Sequence, residues 1–243
     1  MRDEIRPLPV LPGTFVVMRR ELRALLQDRR SVTMMAIFGL LFPVLIANGA
    51  IGSKGKPAVV LGILTEVLVF PYIAGLQSAL TAFIGEREHG TLGPLLATPL
   101  NNVSIFAGKL LGAAYVPSLA TSAVGLTAFL LLYLRGSASG GLKIVPHATL
   151  IEMIALSLIA GFAMVVFGLL LGSKAKSVRG AQAITTVVVL PVVFGVQLLA
   201  TVVLNHSAWF AWGVMLVLIL AIVASLWLSA RVWNREEALV STG

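Results

Sequence analysis

Cysteine is absent from the 243 residues, which excludes disulfides and thiolate metal sites and leaves the redox compartment unspecified. Charge is scarce as well. Asp, Glu, Lys and Arg make up 12% of the chain, about half of the ~25% usual in soluble domains. The three histidines, His89, His147 and His206, fall in three separate segments, so they do not form a shared metal site. There is no G-x-x-x-x-G-K-[ST]. The two G-K pairs, Gly55-Lys56 and Gly108-Lys109, lack both the upstream glycine and the following Ser or Thr, and ATP binding by a P-loop is excluded. Neither an H-E-x-x-H nor a nucleophile elbow is present, so catalysis by this polypeptide is not expected.

Apolar sequence fills the space that charge leaves. Hydrophobic residues are 58% of the chain and the mean hydropathy is +0.98, the composition of a polytopic membrane protein. Six apolar segments, at about 32–51, 58–84, 110–134, 148–172, 181–204 and 209–230, are each long enough to cross a core of roughly 30 Å at 1.5 Å per residue. The first follows 31 residues, too many for the n-region of a signal peptide, and is read as a retained span. The expected fold is therefore an all-α membrane protein with six transmembrane helices.

The net charge of +8 is distributed by topology and not along one nucleic-acid-binding face. With both termini cytoplasmic, seven arginines before the first span, then Arg87, Lys109, Lys174, Lys176, Arg179, Arg231 and Arg235 lie inside. Only Lys54, Lys56, Arg135 and Lys143 lie outside. That bias satisfies the positive-inside rule. The chain divides into a cytoplasmic N-terminal part (1–31), a membrane domain (32–230) and a cytoplasmic tail (231–243).

Before the first span, Phe15, Met18, Leu22, Leu25 and Leu26 recur at helical spacing, with Arg19, Arg20, Arg23, Arg29 and Arg30 on the other side. This predicts an amphipathic helix lying in the headgroup plane; a plain juxtamembrane anchor has the same pattern. Two acids fall within or near apolar runs: Glu66, nine residues into the second segment, and Glu152, near the start of the fourth. Both are pathway candidates, since ionisable groups in a membrane are functional by default, although Glu152 is close enough to the interface to snorkel. Gly108 and Gly112, like Gly168 and Gly172, form GxxxG pairs suited to close helix packing. Pro191 and Gly195 either kink the fifth segment or break it so that its outer half re-enters.

Between the second and third segments lies the run Glu86-Arg87-Glu88-His89-Gly90-Thr91-Leu92-Gly93-Pro94-Leu95-Leu96-Ala97-Thr98-Pro99, with Gly108-Lys109 following. Gly90 ends one helix, Thr91 can cap the next, and Pro94 falls in its first turn, where a missing N–H costs little. Pro99 stops it. Leu92, Leu95 and Leu96 then share a face of barely two turns, too short to be stable without a surface to lie on. The run resembles the cytoplasmic coupling segment of ABC-2 type transporter permeases, E-R-E-x-G-T-L-E-x-L-L-x-T-P, with Gly93 standing where that family usually carries Glu. The loss of a carboxylate near the helix N-terminus forfeits about 0.3–1 kcal/mol.

The R-R-E-L-R-A-L-L run of the N-terminal helix resembles that family's interfacial elbow helix. The stretch Ser173-Lys174-Ala175-Lys176-Ser177-Val178-Arg179 resembles its basic second cytoplasmic loop, and Arg231-Val232-Trp233-Asn234-Arg235-Glu236 its R-E ending. Only Asn205-His206-Ser207-Ala208 separates the last two apolar runs, where the family often has re-entrant helices.

The resemblance implies a permease subunit of an ATP-driven exporter in the cell (inner or plasma) membrane. It implies a coupling segment at 85–109 in which Glu86, Arg87, Glu88, Gly90, Thr91, Leu92, Leu95, Leu96, Thr98, Pro99 and Lys109 meet an ABC ATP-binding subunit. Lys174, Lys176 and Arg179 would make a second cytoplasmic contact. A second permease copy or a related permease, and membrane lipids, complete the partners; nucleic acid is not among them. No cofactor is expected on this chain, ATP and Mg belonging to the ATPase subunit. The rival reading is an ion-gradient-driven secondary transporter or channel working through Glu66. The transported substrate is not written in an apolar pattern.

Overall fold

A computed structural model of the protein describes residues 9–46, 57–88, 98–136, 147–173, 178–205 and 208–232. They form seven helices: α1 (Val10–Gln27), α2 (Arg29–Ile46, with a π-helical stretch at Ile37–Leu41) and α3 (Pro57–Glu88) come first. Next is α4, which runs as Asn102–Lys109, a π-helical stretch Leu110–Tyr115 and Val116–Gly136. The last three are α5 (His147–Ser173), α6 (Val178–Asn205) and α7 (Ala208–Val232).

The expectation of six spans is corrected to four. Among the described residues, four helices are long and apolar enough to cross a membrane: Arg29–Ile46, Val59–Ser78, Asn102–Leu132 and Ala148–Leu170. In α6 and α7 the apolar stretches are Thr185–Val196 and Trp209–Ala224, each of 10–17 residues. At 1.5 Å per residue these reach about 15–26 Å, short of a ~30 Å core.

α3 is the centre of the bundle. It packs on α4, α5 and α6, and 72% of its apolar window is buried, with 61% of α5's, against 17% for α2 and 28% for α4. The first pair is therefore core, and the second presents its apolar surface outward. One core layer joins Leu61, Leu64 and Leu68 of α3 to Phe129, Met153, Leu156 and Met215. The other joins Tyr72, Leu76, Leu80 and Ile84 to Leu110, Ala114, Met164, Leu169 and Ile222. The order of these contacts makes α5 and α7 parallel to α3, and α4 antiparallel to it. Phe38 of α2 stacks on Phe70 of α3 and Phe42 packs against it at a tilt, with ring centroids 6.3 and 5.1 Å away.

Small residues set the close approaches. Gly161 of α5 lies against the Tyr72 ring and Gly168 against Leu76, while a Cβ on Gly75 would meet the Ser118 hydroxyl and, at 2.8 Å, the Ala114 carbonyl oxygen. That contact serves a second purpose. Pro71, inside α3, removes one N–H and disturbs the carbonyls of the preceding turn. The Ser122 hydroxyl donates to the Leu68 carbonyl at 2.9 Å and the Ser118 hydroxyl to the Pro71 carbonyl at 3.2 Å. Two serines one turn apart on α4 thus brace the proline-containing turn of α3. Ser118→Ala and Ser122→Ala are each expected to lower stability by about 0.6 kcal/mol, up to about 1.7 for a well-formed bond, read from denaturant unfolding in detergent.

At the α1–α2 turn, the Asp28 carboxylate accepts from the Arg30 and Ser31 backbone N–H groups at 3.1 and 3.2 Å and from the Ser31 hydroxyl at 2.5 Å. These bonds, the one from the Ser31 hydroxyl foremost, hold its pKa below the ordinary carboxylate range. They also fix α1 relative to the first residues of α2.

Candidate functional site: the end of the bundle around alpha 1

The helix directions gather one set of termini at a single end. There α3 finishes with Glu86-Arg87-Glu88, α4 begins at Asn102, α5 ends at Ser173 and α6 begins at Val178. Glu86, Arg87 and Glu88 belong to the last turn of α3, four residues beyond the expected limit of that segment. Thr98 and Pro99 form a bend leading to Asn101. The Asn101 side chain accepts from Val103 N–H at 3.2 Å, and this cap starts α4 eight residues earlier than apolarity alone suggests. Gly90, Thr91, Leu92, Leu95 and Leu96 lie outside the described residues, as do Lys174 and Lys176. Arg179 is the second residue of α6.

Lys109 is placed where its charge does not meet solvent. It is fully buried, and its Nζ lies 3.0 Å from Oε1 of Glu21 on α1, itself only 8% exposed. A buried ammonium is tolerated where a carboxylate meets it with good geometry. The neighbouring glycines explain how α1 comes close enough. A Cβ on Gly108 would sit 2.9 Å from the Thr14 carbonyl oxygen, and one on Gly112 would sit 2.9 Å from Met18 Cα and 3.0 Å from Glu21 Cβ. The Gly108–Gly112 pair is thus the groove in which α1 of the same chain lies. Further along, the Ser104 hydroxyl donates to the Val10 carbonyl at 3.1 Å.

The packed stripe of α1 is Gly13, Val17, Glu21 and Leu25, whereas the sequence pattern had grouped Phe15, Met18, Leu22, Leu25 and Leu26. Phe15 and Leu26 in fact face outward. Glu21 was the residue that sequence reasoning missed. Its signal was a carboxylate four residues from both Val17 and Leu25, on the small-residue side of an otherwise arginine-rich helix.

Glu66 is partly buried on α3 and lines a cavity with Thr65, Val69, Phe70, Val193 and Val196. Its volume of about 10 Å³ admits about one water molecule, so in this conformation it is no pathway. Glu152 is partly buried on the second turn of α5. The described residues bring neither acid into the end of the bundle around α1, and they include no group of three or more His, Asp or Glu placed to hold a metal ion.

Over 118 residues the sequence is 35% identical to the probable ABC transporter permease protein NosY of Pseudomonas aeruginosa, a stretch covering 46% of this chain and 42% of that protein. The match thus spans less than half the length of this curated relative. Residues 15–213, from the middle of α1 into α7, match the ABC-2 family transporter protein family, which lends no support to an ion-gradient mechanism through Glu66. An all-helical chain with several membrane-crossing helices, carrying this match over most of its length, belongs to the ABC-2 family of transporter proteins.

Proposed function

We propose that the chain is the permease subunit of an ATP-driven ABC-2 exporter, working with a second permease copy or a related permease and with separate ATP-binding subunits. The family membership carries this reading. The helix directions support it: the E-R-E sequence that ends α3, the start of α4, the end of α5 and the start of α6 share the end of the bundle that also holds α1. That end is the cytoplasmic one by the positive-inside count.

ATP and Mg belong to the partner, since this chain has no phosphate-binding loop. In the proposed cycle, closure of the ATP-binding subunits moves the segment at 91–98, and the force enters α3 and α4 together. The two respond as one body because Ser118 and Ser122 bond across to α3 around Pro71. Since α3 is the most buried of the membrane-crossing helices, displacing it re-aims α5 and α6 as well. Glu86, Arg87 and Glu88 form the rim of the docking surface, and Leu92, Leu95 and Leu96 fill the partner's groove.

Truncating one apolar anchor of an interface typically costs more than 1 kcal/mol. Leu95→Ala is therefore expected to cut retention of a co-expressed P-loop ATPase about five- to tenfold on affinity purification, with permease yield unchanged. Undiminished retention and undiminished ATP-dependent transport in a Leu92→Asp, Leu95→Asp double variant would overturn the proposal.

A further inference from the structure

Among the described residues the helices depart from α geometry in two places, and both lie on the routes by which α1 joins the rest of the bundle. One route is packing. The start of α4, Asn102–Lys109, lies chiefly on α1, held by the Glu21–Lys109 pair, the Ser104–Val10 bond and the glycine groove. The π-helical stretch Leu110–Tyr115 follows at once. The other route is covalent. The Asp28 turn leads from α1 into Arg29–Ala36, and there the π-helical stretch Ile37–Leu41 follows at once. Farther out the helices bind to one another and to α3. Ser118 and Ser122 of α4 donate to α3 carbonyls, and Phe42 of α2 packs against Phe70. A Cβ on Gly39 would sit 2.8 Å from Thr121 Cγ2, and one on Gly125 would sit 2.9 Å from the Gly39 carbonyl oxygen.

We propose that the two π-helical stretches are the paired joints of a hinge. Inward of them, α1, Arg29–Ala36 and Asn102–Lys109 move as one unit; outward, α3, α5 and the remainders of α2 and α4 form the other. A π turn is wider than an α turn and bonded less regularly, and helices bend sharply at such turns. Two joints are needed because α1 is tied to two helices. A bend in α4 alone would strain the Asp28 turn, and a bend in α2 alone would pull Glu21 from Lys109. With both, the unit tilts and keeps its internal polar contacts. Apolar contacts with the rest of the bundle, Leu25 and Met35 beside Ala74 and Phe106 on the inner core layer, can slide without stranding a charge. A buried hydroxyl beside one joint favours a second position. Tyr72 is fully buried, its hydroxyl meets no hydrogen-bond partner among the described residues, and its ring centroid is 6.0 Å from that of Tyr115, the last residue of the α4 stretch. A buried hydroxyl left unpaired disfavours the conformation that leaves it so, and bending at Tyr115 changes its surroundings. The hinge is a property of this chain alone; that ATP-binding subunits drive it rests on the function proposed above.

The absence of cysteine makes the test direct. Pairs of cysteines at exposed positions carry spin labels in the full-length protein, reconstituted in nanodiscs without an ATPase. The pair Phe15→Cys with Leu131→Cys spans the joints, Phe15→Cys with Val103→Cys lies within the inner unit, and Leu131→Cys with Ile151→Cys lies within the outer one. The distance distribution of the first pair is expected to be about twice as wide as those of the other two, or two-peaked. Deleting Leu111, a partly exposed residue of the α4 stretch, turns the wide turn into an α turn without changing the register on either side. It is expected to narrow the first distribution to the width of the others. A second measurement does not depend on that variant folding: in the unaltered chain, the backbone amides of 112–116 and 38–42 should exchange hydrogen about tenfold faster than those of 119–123. A first-pair distribution as narrow as the others, or even exchange along α4, would overturn the inference. So would a wide distribution that survives the deletion, since the motion would then arise elsewhere. With no nucleotide or partner present, none of these results bears on whether the chain is an exporter subunit.

Discussion

Lys109→Met alone should destabilise the protein by about 3–5 kcal/mol, because it leaves the buried Glu21 carboxylate without its cation. The partner change, Glu21→Leu, should also destabilise the protein, by removing the carboxylate that meets the buried ammonium. Their combination should recover most of the loss. Two apolar side chains of comparable volume need no ionic compensation, and removing both charges from a buried pair is often neutral. Denaturant unfolding of the four proteins in detergent gives the coupling energy as a double-mutant cycle. A coupling below about 1 kcal/mol would mean that the two side chains are independently solvated. The pair joins residues 88 apart in sequence, so the same experiment reports whether α1 is part of the folded bundle or an appendage to it.

The parts legible in the sequence were those in which one segment carries its own signal. α3 and α5 are apolar on every side, and that is the pattern of a helix buried in a bundle. The Gly108–Gly112 spacing announced a close helix contact. What periodicity could not supply was the partner. Nothing local distinguishes a GxxxG that receives a second copy from one that receives α1 of its own chain. Likewise Lys109 reads as an interfacial anchor until Glu21 is brought beside it. The packed face of α1 was not legible for the same reason: glycine and glutamate score poorly as core residues, yet Gly13 and Glu21 are packed because α4 offers Ser104 and Lys109 opposite them. The span count failed at 181–204 and 209–230, where among the described residues the apolar stretches are only Thr185–Val196 and Trp209–Ala224.

Gly112→Val is the substitution that tests this packing most severely. The position lies in the π-helical stretch Leu110–Tyr115, and the new Cβ would fall within 2.9 Å of Met18 Cα, closer still to the Met18 carbonyl oxygen and 3.0 Å from Glu21 Cβ. Two of these three obstacles are backbone atoms, which cannot rotate aside as a side-chain tip can, so α1 itself must move. Overpacking of this kind costs about 1–3 kcal/mol. If the shift also parts Glu21 from Lys109, the buried unpaired charge adds about 3–5 kcal/mol, and separating α1 from α4 becomes the cheaper outcome. Trypsin should then cleave at Arg19, Arg20 and Arg23 at least tenfold faster than in the wild type. Gly213→Ala, where an added Cβ meets nothing within 4 Å, should be neutral. Rescue of Gly112→Val by the apolar Glu21→Leu, Lys109→Met background would separate the two costs. Slower cleavage in that background means that the stranded charge drives the release. Unchanged cleavage means that the backbone collision suffices, and that the groove formed by Gly108 and Gly112 is the principal holder of α1 on the bundle.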